Sequence, residues 1–475
     1  MTSQKKLSIA HSASSSATLE EAPTFELGAL RYRSGTYPAA RLKPHPRNAR
    51  THSQRQTNKL KLSMTQIGFG SPVVVDENMT TLAGHARVKV AKELSMGLVP
   101  VYQIFGLTET RKRAYLLADN RVAEDAGWDR SILASEFPEL TPLLEEEDLD
   151  LTVTGFDMAE IDRINDDLSD EEPEEQVDLT PLDKATVCRM GDQLILGDHR
   201  VVVADALDRA SFGWLMRGQR AAASFLDAPY NIKAQLIGGR GQAQHGDFAM
   251  GSGEMSDQAF TEFLTITHRN VAACCADGAI VYSCMDWRQI EKLIAAGGRA
   301  FERLLNIVVW VKTNAGQGSF YRSQHELIAV FQVGQGQHLN NVQQGRFGRN
   351  RSNVWTYPGA NTFRRGRLED LADHPTVKNT EMVADALKDC TRLGDVVLDC
   401  FGGSGTTLMA AEKVGRRARL IEISPQYADV IVRRWQSITK GDAVHRETGL
   451  TFEELRRART ADVPQRTRVR SVPSH

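Results

Sequence analysis

Two short polar turns hold the residues whose types and spacing could do chemistry. The first is Ser224-Phe-Leu-Asp227-Ala228-Pro229-Tyr230-Asn231, an apolar run opening into an acid, a proline-fixed bend and an aromatic ring. An amino group on a nucleobase is a poor nucleophile, because the ring delocalises the nitrogen lone pair. A catalyst must accept hydrogen bonds from that amine and favour its pyramidal form. Asp227 and the carbonyl of Ala228 could do this, with Pro229 holding the turn rigid and Tyr230 stacking on a base swung out of a duplex.

The second turn lies in Gly394-Asp-Val-Val-Leu-Asp399-Cys-Phe401-Gly402-Gly403-Ser404-Gly405-Thr406, which reads as a strand, a glycine turn and the start of a helix. Glycines let a nucleoside approach the backbone closely. Twenty residues after Gly402, the run Arg419-Leu-Ile ends at Glu422, whose carboxylate could accept both ribose hydroxyls of an adenosine. A triphosphate-binding loop would need Lys after Gly405, where Thr406 stands. A nicotinamide fingerprint would need a third glycine at Leu408. An adenosine cofactor without a pyrophosphate remains, and S-adenosylmethionine fits; the other reading is a plain strand-to-helix glycine turn. The pair His325-Glu326 lacks the second histidine of a zinc protease motif, Ala329 standing there, and reads as a structural feature of a sheet end. The six cysteines include no C-x-x-C spacing, so a structural zinc site is not expected.

Elements must bring these turns together. From Gln193 onward, β-branched or apolar runs alternate with helical patterns: Val201-Val-Val, Ala221 to Leu226, Ala279-Ile-Val-Tyr, Ile307 to Val311, Leu327 to Phe331, Val396-Val-Leu and Arg419-Leu-Ile. This predicts an α/β fold with a largely parallel, doubly wound Rossmann-like sheet, its active site beyond the carboxyl ends of the strands. Upstream, Ser71-Pro-Val-Val-Val and Met79-Thr-Thr-Leu-Ala read as strands, Gly84-His85-Ala-Arg87 opens a helix, and another helix runs from Thr108 to about Ala123.

The 475 residues predict about two or three domains. With 41% hydrophobic and 25% charged residues the chain is neither wholly disordered nor a disulfide miniprotein. No apolar run is long enough to span a bilayer and no secretory signal is evident, so no membrane association and a cytoplasmic location are expected. The net charge of -2 hides a segregation of sign: from Leu27 to Val75 there are nine Lys and Arg and no acid. Such a face suits phosphates. Between Asp157 and Asp178 eleven acids stand against one Arg, the pattern of a solvated hinge. The expected organisation is a disordered tail over 1–30, a small α+β domain over 37–130, a helical and acidic linker over 131–180, the α/β domain over 190–440 with an insertion at about 333–373, and a basic tail over 441–475.

In sequence order and content, the acidic turn followed by the Phe-x-Gly-x-Gly turn resembles the DNA amino-methyltransferases of the permuted β type, with Asp-Ala-Pro-Tyr where that family usually has Asp-Pro-Pro-Tyr. The resemblance covers about Met190 to Thr439 and includes Gly197-Asp, Ala204-Asp205, Trp310-Val-Lys312, Ser323-Gln-His-Glu326 and His374-Pro-Thr-Val-Lys378. It implies in-line transfer of a methyl group from S-adenosylmethionine to adenine N6 in double-stranded DNA, in a restriction-modification setting, by a monomer or homodimer. Cytosine N4 is the alternative target. It implies Asp227, Ala228, Pro229 and Tyr230 as the catalytic turn, and Asp205, Thr376, Lys378, Asp399, Phe401, Gly402, Gly403, Ser404, Gly405, Thr406 and Glu422 as the cofactor site. Ala228 should keep the carbonyl acceptor while losing some stiffness. Arg346, Arg349, Arg351, Arg364, Arg365 and Arg367, interleaved with aromatic residues, would contact DNA. Carbon-5 methylation would need a Cys after Pro, which is absent, and protein-glutamine methylation would need Asn at Asp227.

The first domain resembles the ParB-type N-terminal domain, shared in fold with sulfiredoxin, through Leu42-Lys-Pro-His-Pro-Arg-Asn, Leu82-Ala-Gly-His-Ala-Arg87 and Leu117-Ala-Asp-Asn-Arg121. This resemblance implies a nucleoside triphosphate or DNA phosphate site at Gly84, His85, Arg87, Asn120 and Arg121. Sulfiredoxin chemistry is excluded because the first cysteine is Cys188. A second functional reading is a nucleotide-gated DNA-binding protein whose transferase half has decayed.

Overall fold

The computed structural model describes residues 18–125, 127–168, 186–232, 253–313, 320–342, 351–359 and 378–461. The chain divides into two compact units, residues 1–157 and 158–475. No helix among the described residues is long and apolar enough to cross a membrane.

The first unit contains strands β1 (Phe25–Leu27) and β2 (Leu30–Pro38), helix α1 (Gln54–Gln66), β3 (Val73–Val75), β4 (Thr81–Ala83), α2 (His85–Glu93), β5 (Leu98–Phe105), α3 (Glu109–Asp125) and α4 (Arg130–Glu146). Its five-stranded sheet has the order β1-β2-β5-β3-β4. Three valines make β3 a β-branched strand whose first and third side chains are buried, as the period of two demands. They pack with Val90, Val99 and Leu19. The expected tail therefore starts to fold earlier than residue 30. Leu19 is buried and its N–H donates to the Thr36 carbonyl at 3.0 Å, because an apolar side chain within reach of an open core is driven into it. Between β3 and β4, Asp76 accepts the N–H groups of Asn78 and Thr80, both at 2.8 Å. The buried ammonium of Lys112 bonds Asp76, Glu77 and Glu109 at 3.0, 2.7 and 3.0 Å. Gly84, at φ 91°, turns the chain from β4 into α2 without a side-chain cap.

The second unit opens with α5 (Met158–Leu168) and then runs β6 (Gln193–Leu196), β7 (His199–Val203), α6 (Arg209–Met216), β8 (Ala221–Leu226), α7 (Asp257–Cys274), β9 (Cys275–Met285), α8 (Ile290–Ala300), β10 (Arg303–Val311), β11 (His325–Gln332), β12 (Val354–Thr356), α9 (Thr380–Cys390), β13 (Val396–Asp399), α10 (Thr406–Lys413), β14 (Arg417–Glu422), α11 (Pro425–Thr439), β15 (Val444–His445) and α12 (Phe452–Ala461). Ten strands form one sheet in the order β12-β10-β11-β9-β8-β13-β14-β7-β6-β15. The centre, β9-β8-β13-β14-β7, is parallel. Antiparallel strands flank it: β11 pairs with both β9 and β10, and β6 with both β7 and β15. The sheet is thus mixed: its centre and the edge pair β10–β12 match the expected parallel layout, and the strands between and beyond them do not. Buried clusters cover both faces.

Two stretches differ from expectation. The first half of the acidic run is α5, in which Met158, Ala159 and Ile161 are buried. Asp162 on that face escapes the cost of burial through a two-pronged pair with Arg416, at 2.7 and 3.0 Å. The predicted basic tail begins with folded chain: Phe452 and Leu455 of α12 are buried, and Arg459 of the same helix bonds both oxygens of Asp192. In both cases neighbours neutralise charges that look solvated in sequence. Residues 1–17 and 462–475 lie outside the described residues.

Candidate functional site

The tips of four adjacent parallel strands build the site. β8 and β13 pair through Ala223 with Val397 and Ser224 with Leu398, and the Ser224 hydroxyl donates to the Leu398 carbonyl at 2.7 Å. This sets Asp227, one residue past β8, beside the glycine turn that follows β13. On the far side of β13, β14 ends at Glu422, and its neighbour β7 is followed by Asp205. Tyr230 and Phe401 rest on one apolar cluster, where the Phe401 ring lies 6.0 Å from that of Phe263. The two turns therefore meet.

The glycine turn is held from beneath. Asp399 accepts the Phe401 N–H at 2.9 Å and the Thr407 hydroxyl at 2.6 Å, and burial pushes its carboxyl up to about 7. Asp399 thus braces the loop. Gly402 presses on β14, where an added Cβ would lie 3.3 Å from the Ile421 carbonyl oxygen. Gly405, at φ 84°, would put a Cβ 3.1 Å from Ile431 of α11. Gly403, at φ 50°, faces open space, its nearest neighbour being the Phe401 oxygen at 3.8 Å. Arg434, which the sequence did not single out, donates to the Ser404 carbonyl at 3.0 Å. Ser404 and Thr406 hydroxyls lie 3.4 Å apart. Glu422 takes the Gly403 N–H at 2.6 Å and the Ser424 N–H at 2.8 Å, and burial raises its carboxyl to about 7. Asp205 accepts the Leu207 N–H at 2.8 Å. An open glycine flanked by two packed ones, a half-buried phenyl ring and an acid at the next strand tip form an arrangement that could hold a nucleoside.

The acidic turn is clamped by its last residue. Asn231 adopts φ 50°, its amide donates to the Met255 carbonyl at 2.9 Å, and its oxygen accepts the N–H groups of Gly253 and Met255 at 3.1 and 3.2 Å. Ala228 is buried. Asn231 thus ties the end of the turn to residues 253–255. Around the turn lies a charged cluster. Lys378 Nζ is 2.9 Å from Asp227 Oδ2 and 3.1 Å from Glu326 Oε2, and donates to the Tyr230 hydroxyl at 3.1 Å. The Tyr230 oxygen is 3.2 Å from Asp227 Oδ1 and 2.8 Å from Glu326 Oε2. Lys312 Nζ sits 2.5 Å from the other Glu326 oxygen. Burial raises the Asp227 carboxyl against the opposing pull of Lys378, and raises the Tyr230 hydroxyl further from its ordinary value. Glu326 is held at about 2, since Lys378 and Lys312 outweigh its burial.

Glu326, Lys312 and Arg434 are site residues to which sequence reasoning gave no chemical role. Glu326 looked structural because its partners Tyr230, Lys312 and Lys378 come from three other segments of chain. Lys378 points its ammonium at the acidic turn. Thr376 lies outside the described residues, as do Arg346, Arg349, Arg364, Arg365 and Arg367. Arg351, expected to contact DNA, is instead tied into the fold: it bonds Asp385 and Asp389 at 2.9 Å each and the Tyr357 hydroxyl at 2.9 Å, and lies over the Trp355 ring. A guanidinium so enclosed needs those carboxylates.

In the first unit, Arg87 donates to the Ser71 and Pro72 carbonyls at 2.8 and 2.9 Å. The ring of His85, pushed down to about 4 chiefly by burial, accepts the His45 N–H at 3.3 Å. The charge of Asp119 reaches both His85 and Arg87. Asn120 accepts from Arg50 at 2.8 Å. The start of α2 and the end of α3 thus share one face with the basic segment.

The sequence pattern of the DNA methylase family, acting on N6 and N4, matches residues 222–433, and that of a ParB-methyltransferase HTH domain matches residues 131–190. Among curated proteins, the ParB-like nuclease domain-containing protein YnaK of Escherichia coli K12 is 43% identical over 76 residues, 16% of this chain and 87% of that protein. Type II methyltransferase M.ScaI of Streptomyces caespitosus is 32% identical over 90 residues, 19% of this chain and 30% of that protein. Among solved structures, the M1.HpyAVI-SAM complex aligns at 16% identity and a TM-score of 0.35, over 50% of this chain and 98% of that one.

Proposed function

Because this chain belongs to the N6/N4 DNA methylases, which depend on S-adenosylmethionine, we propose that it methylates adenine N6 in double-stranded DNA through Asp227 and Tyr230. The observation carrying this reading is the adjacency of β8 and β13, which sets an acidic acceptor beside a glycine turn fitted to adenosine. S-adenosylmethionine supplies a methyl group already activated on a sulfonium, so no enzyme nucleophile is needed. Asp227 accepts a hydrogen bond from the amine and the Ala228 carbonyl accepts another, drawing the nitrogen lone pair out of the ring. Tyr230 stacks on the extruded base. Glu422 takes the ribose hydroxyls and Phe401 packs on the adenine ring, while Asp399 and Arg434 hold the loop between them.

Exposed rings at the same sheet end suit a nucleic-acid partner. Phe320 and Tyr321 are 86% and 81% exposed, too much apolar surface to leave in water without use. Trp287 joins them through a bond to Ser323 at 3.3 Å. Aromatic faces of this kind stack on bases. Cytosine N4 is the second reading, since the matched family covers both amines and each presents the same two hydrogens.

The test is incubation with labelled S-adenosylmethionine and mixed-sequence duplex, followed by nucleoside analysis. Label is expected in N6-methyladenine; label in N4-methylcytosine selects the second reading, and none at all removes both. Asp227→Ala should lower transfer by about 10²–10³-fold or more while leaving cofactor binding intact. In the first unit we propose a nucleoside triphosphate site at Gly84, His85 and Arg87, supported by the uncapped start of α2 and the neighbouring cations.

A further inference from the structure

Both oxygens of Asp227 are engaged. Oδ1 faces the Tyr230 hydroxyl and Oδ2 faces Lys378. A target amine can bond Asp227 only by taking the place of one of them. Lys378 cannot simply turn to water, because its side chain is 6% exposed, whereas that of Asp227 is 26% exposed and can be approached. A buried ammonium stripped of its carboxylate is costly. Glu326 offers the alternative. Its Oε2 already lies within hydrogen-bond distance of both groups that hold Asp227, at 3.1 Å from Lys378 and 2.8 Å from the Tyr230 hydroxyl. Lys312 fixes its other oxygen.

We propose that Glu326 is a positioning residue that takes over Lys378 and the Tyr230 hydroxyl as the target amine arrives, releasing Asp227 to accept it. The inference rests on the methyltransferase reading above. Charge argues the same way. Two carboxylates and two ammonium groups balance in the cluster, and the amine gains positive charge as the nitrogen–carbon bond forms and the carbon–sulfur bond breaks, its electron pair leaving with sulfur; one amine proton then passes through Asp227 to solvent. Without Glu326 the cluster carries one excess positive charge beside that nitrogen, and among the described residues Lys378 is left with Asp227 as its carboxylate partner. Cys284, a further ionisable group beside Lys378 among the described residues, is buried, and burial holds its thiol far above its ordinary value, so it is no substitute counter-ion.

The experiment compares single-turnover methyl transfer and S-adenosylmethionine binding in the full-length wild type, Glu326→Gln, Glu326→Asp and the double variant Glu326→Gln/Lys378→Met. Glu326→Gln is expected to slow transfer by about 10²-fold, in the range found when one member of a buried charge pair is removed, with cofactor affinity within about twofold of wild type. Glu326→Asp, which keeps the charge, should retain at least about ten times the rate of the Gln variant. Adding Lys378→Met to Glu326→Gln should recover at least about tenfold, because the obstructing cation is gone; the coupling of neighbouring groups is what such a double variant reads. A Gln variant at wild-type rate overturns the proposal, as does a double variant no faster than Glu326→Gln. Should Glu326→Gln fail to bind the cofactor, the Asp variant decides, and an Asp rate as low as that of Asp227→Ala overturns the proposal. Absence of transfer by the wild type would instead defeat the methyltransferase reading itself.

Discussion

In the cofactor role proposed for it, Glu422 has two jobs that pull its proton in opposite directions. Burial raises it to about 7, against roughly 4.3 for a free glutamate. Between those values the folded chain keeps a proton that the unfolded chain has released. Stability from this group therefore falls as pH rises through that window, and Asp399, also raised to about 7, adds to the same slope. Ribose hydroxyls, in contrast, need the ionised carboxylate. S-adenosylmethionine affinity should rise about tenfold from pH 6 to pH 8, with a flat profile in Glu422→Gln. Titration calorimetry across that range checks both. At this scale the sequence was informative where a residue acts through its own motif: Asp227, Tyr230, Phe401 and Glu422 all reach one sheet end. It was silent where a residue acts through partners. Glu326 and Arg434 join the site by tertiary contact alone, and Arg351 is withdrawn from the solvent by Asp385 and Asp389.

Among the elements, α5 shows how a charged segment becomes structure. Its sequence is acidic enough to suggest a hinge, and hydrophobic spacing over 158–161 is the one local hint otherwise. The deciding contact is Asp162 with Arg416, whose side chains are 2% and 0% exposed. Removing one partner of such a pair leaves a bare buried charge. Asp162→Ala is expected to cost about 3–5 kcal/mol by urea unfolding. The double change Asp162→Leu/Arg416→Met should recover most of that loss, since apolar replacement of both partners removes the unpaired charge. The same logic explains α12. Periodicity identified the strands of the parallel centre, because strands buried on both faces are short apolar runs. The flanking pairs β6–β7 and β10–β11 carry similar runs, and nothing in an isolated strand tells which direction its neighbour will take.

For the molecule as a whole, a formal charge of -2 conceals a basic N-terminal segment and an acidic stretch after it. Arg50 belongs to the first and bonds Asn120 of α3, and Arg87 stands in the first turn of α2. If triphosphates bind there, Arg87→Ala should weaken equilibrium binding of cytidine or adenosine triphosphate by at least about tenfold, the loss of a charged hydrogen bond. Methyl transfer to a short duplex at saturating cofactor, by the same variant, should stay within about twofold. Equal nucleotide affinity in the wild type and the variant would leave the basic face to DNA alone.

The Ser224–Leu398 contact joins residues 174 positions apart at the centre of the larger sheet. During synthesis β8 therefore emerges long before the strand that will cover its flank. Until residue 399 is available, the half-built sheet exposes a row of unpaired backbone groups on small side chains, Ala221 to Ser224, which another chain could occupy. Late closure of this kind favours slow maturation and dependence on chaperones. A chain truncated before residue 396 should consequently yield aggregates rather than a soluble partial enzyme.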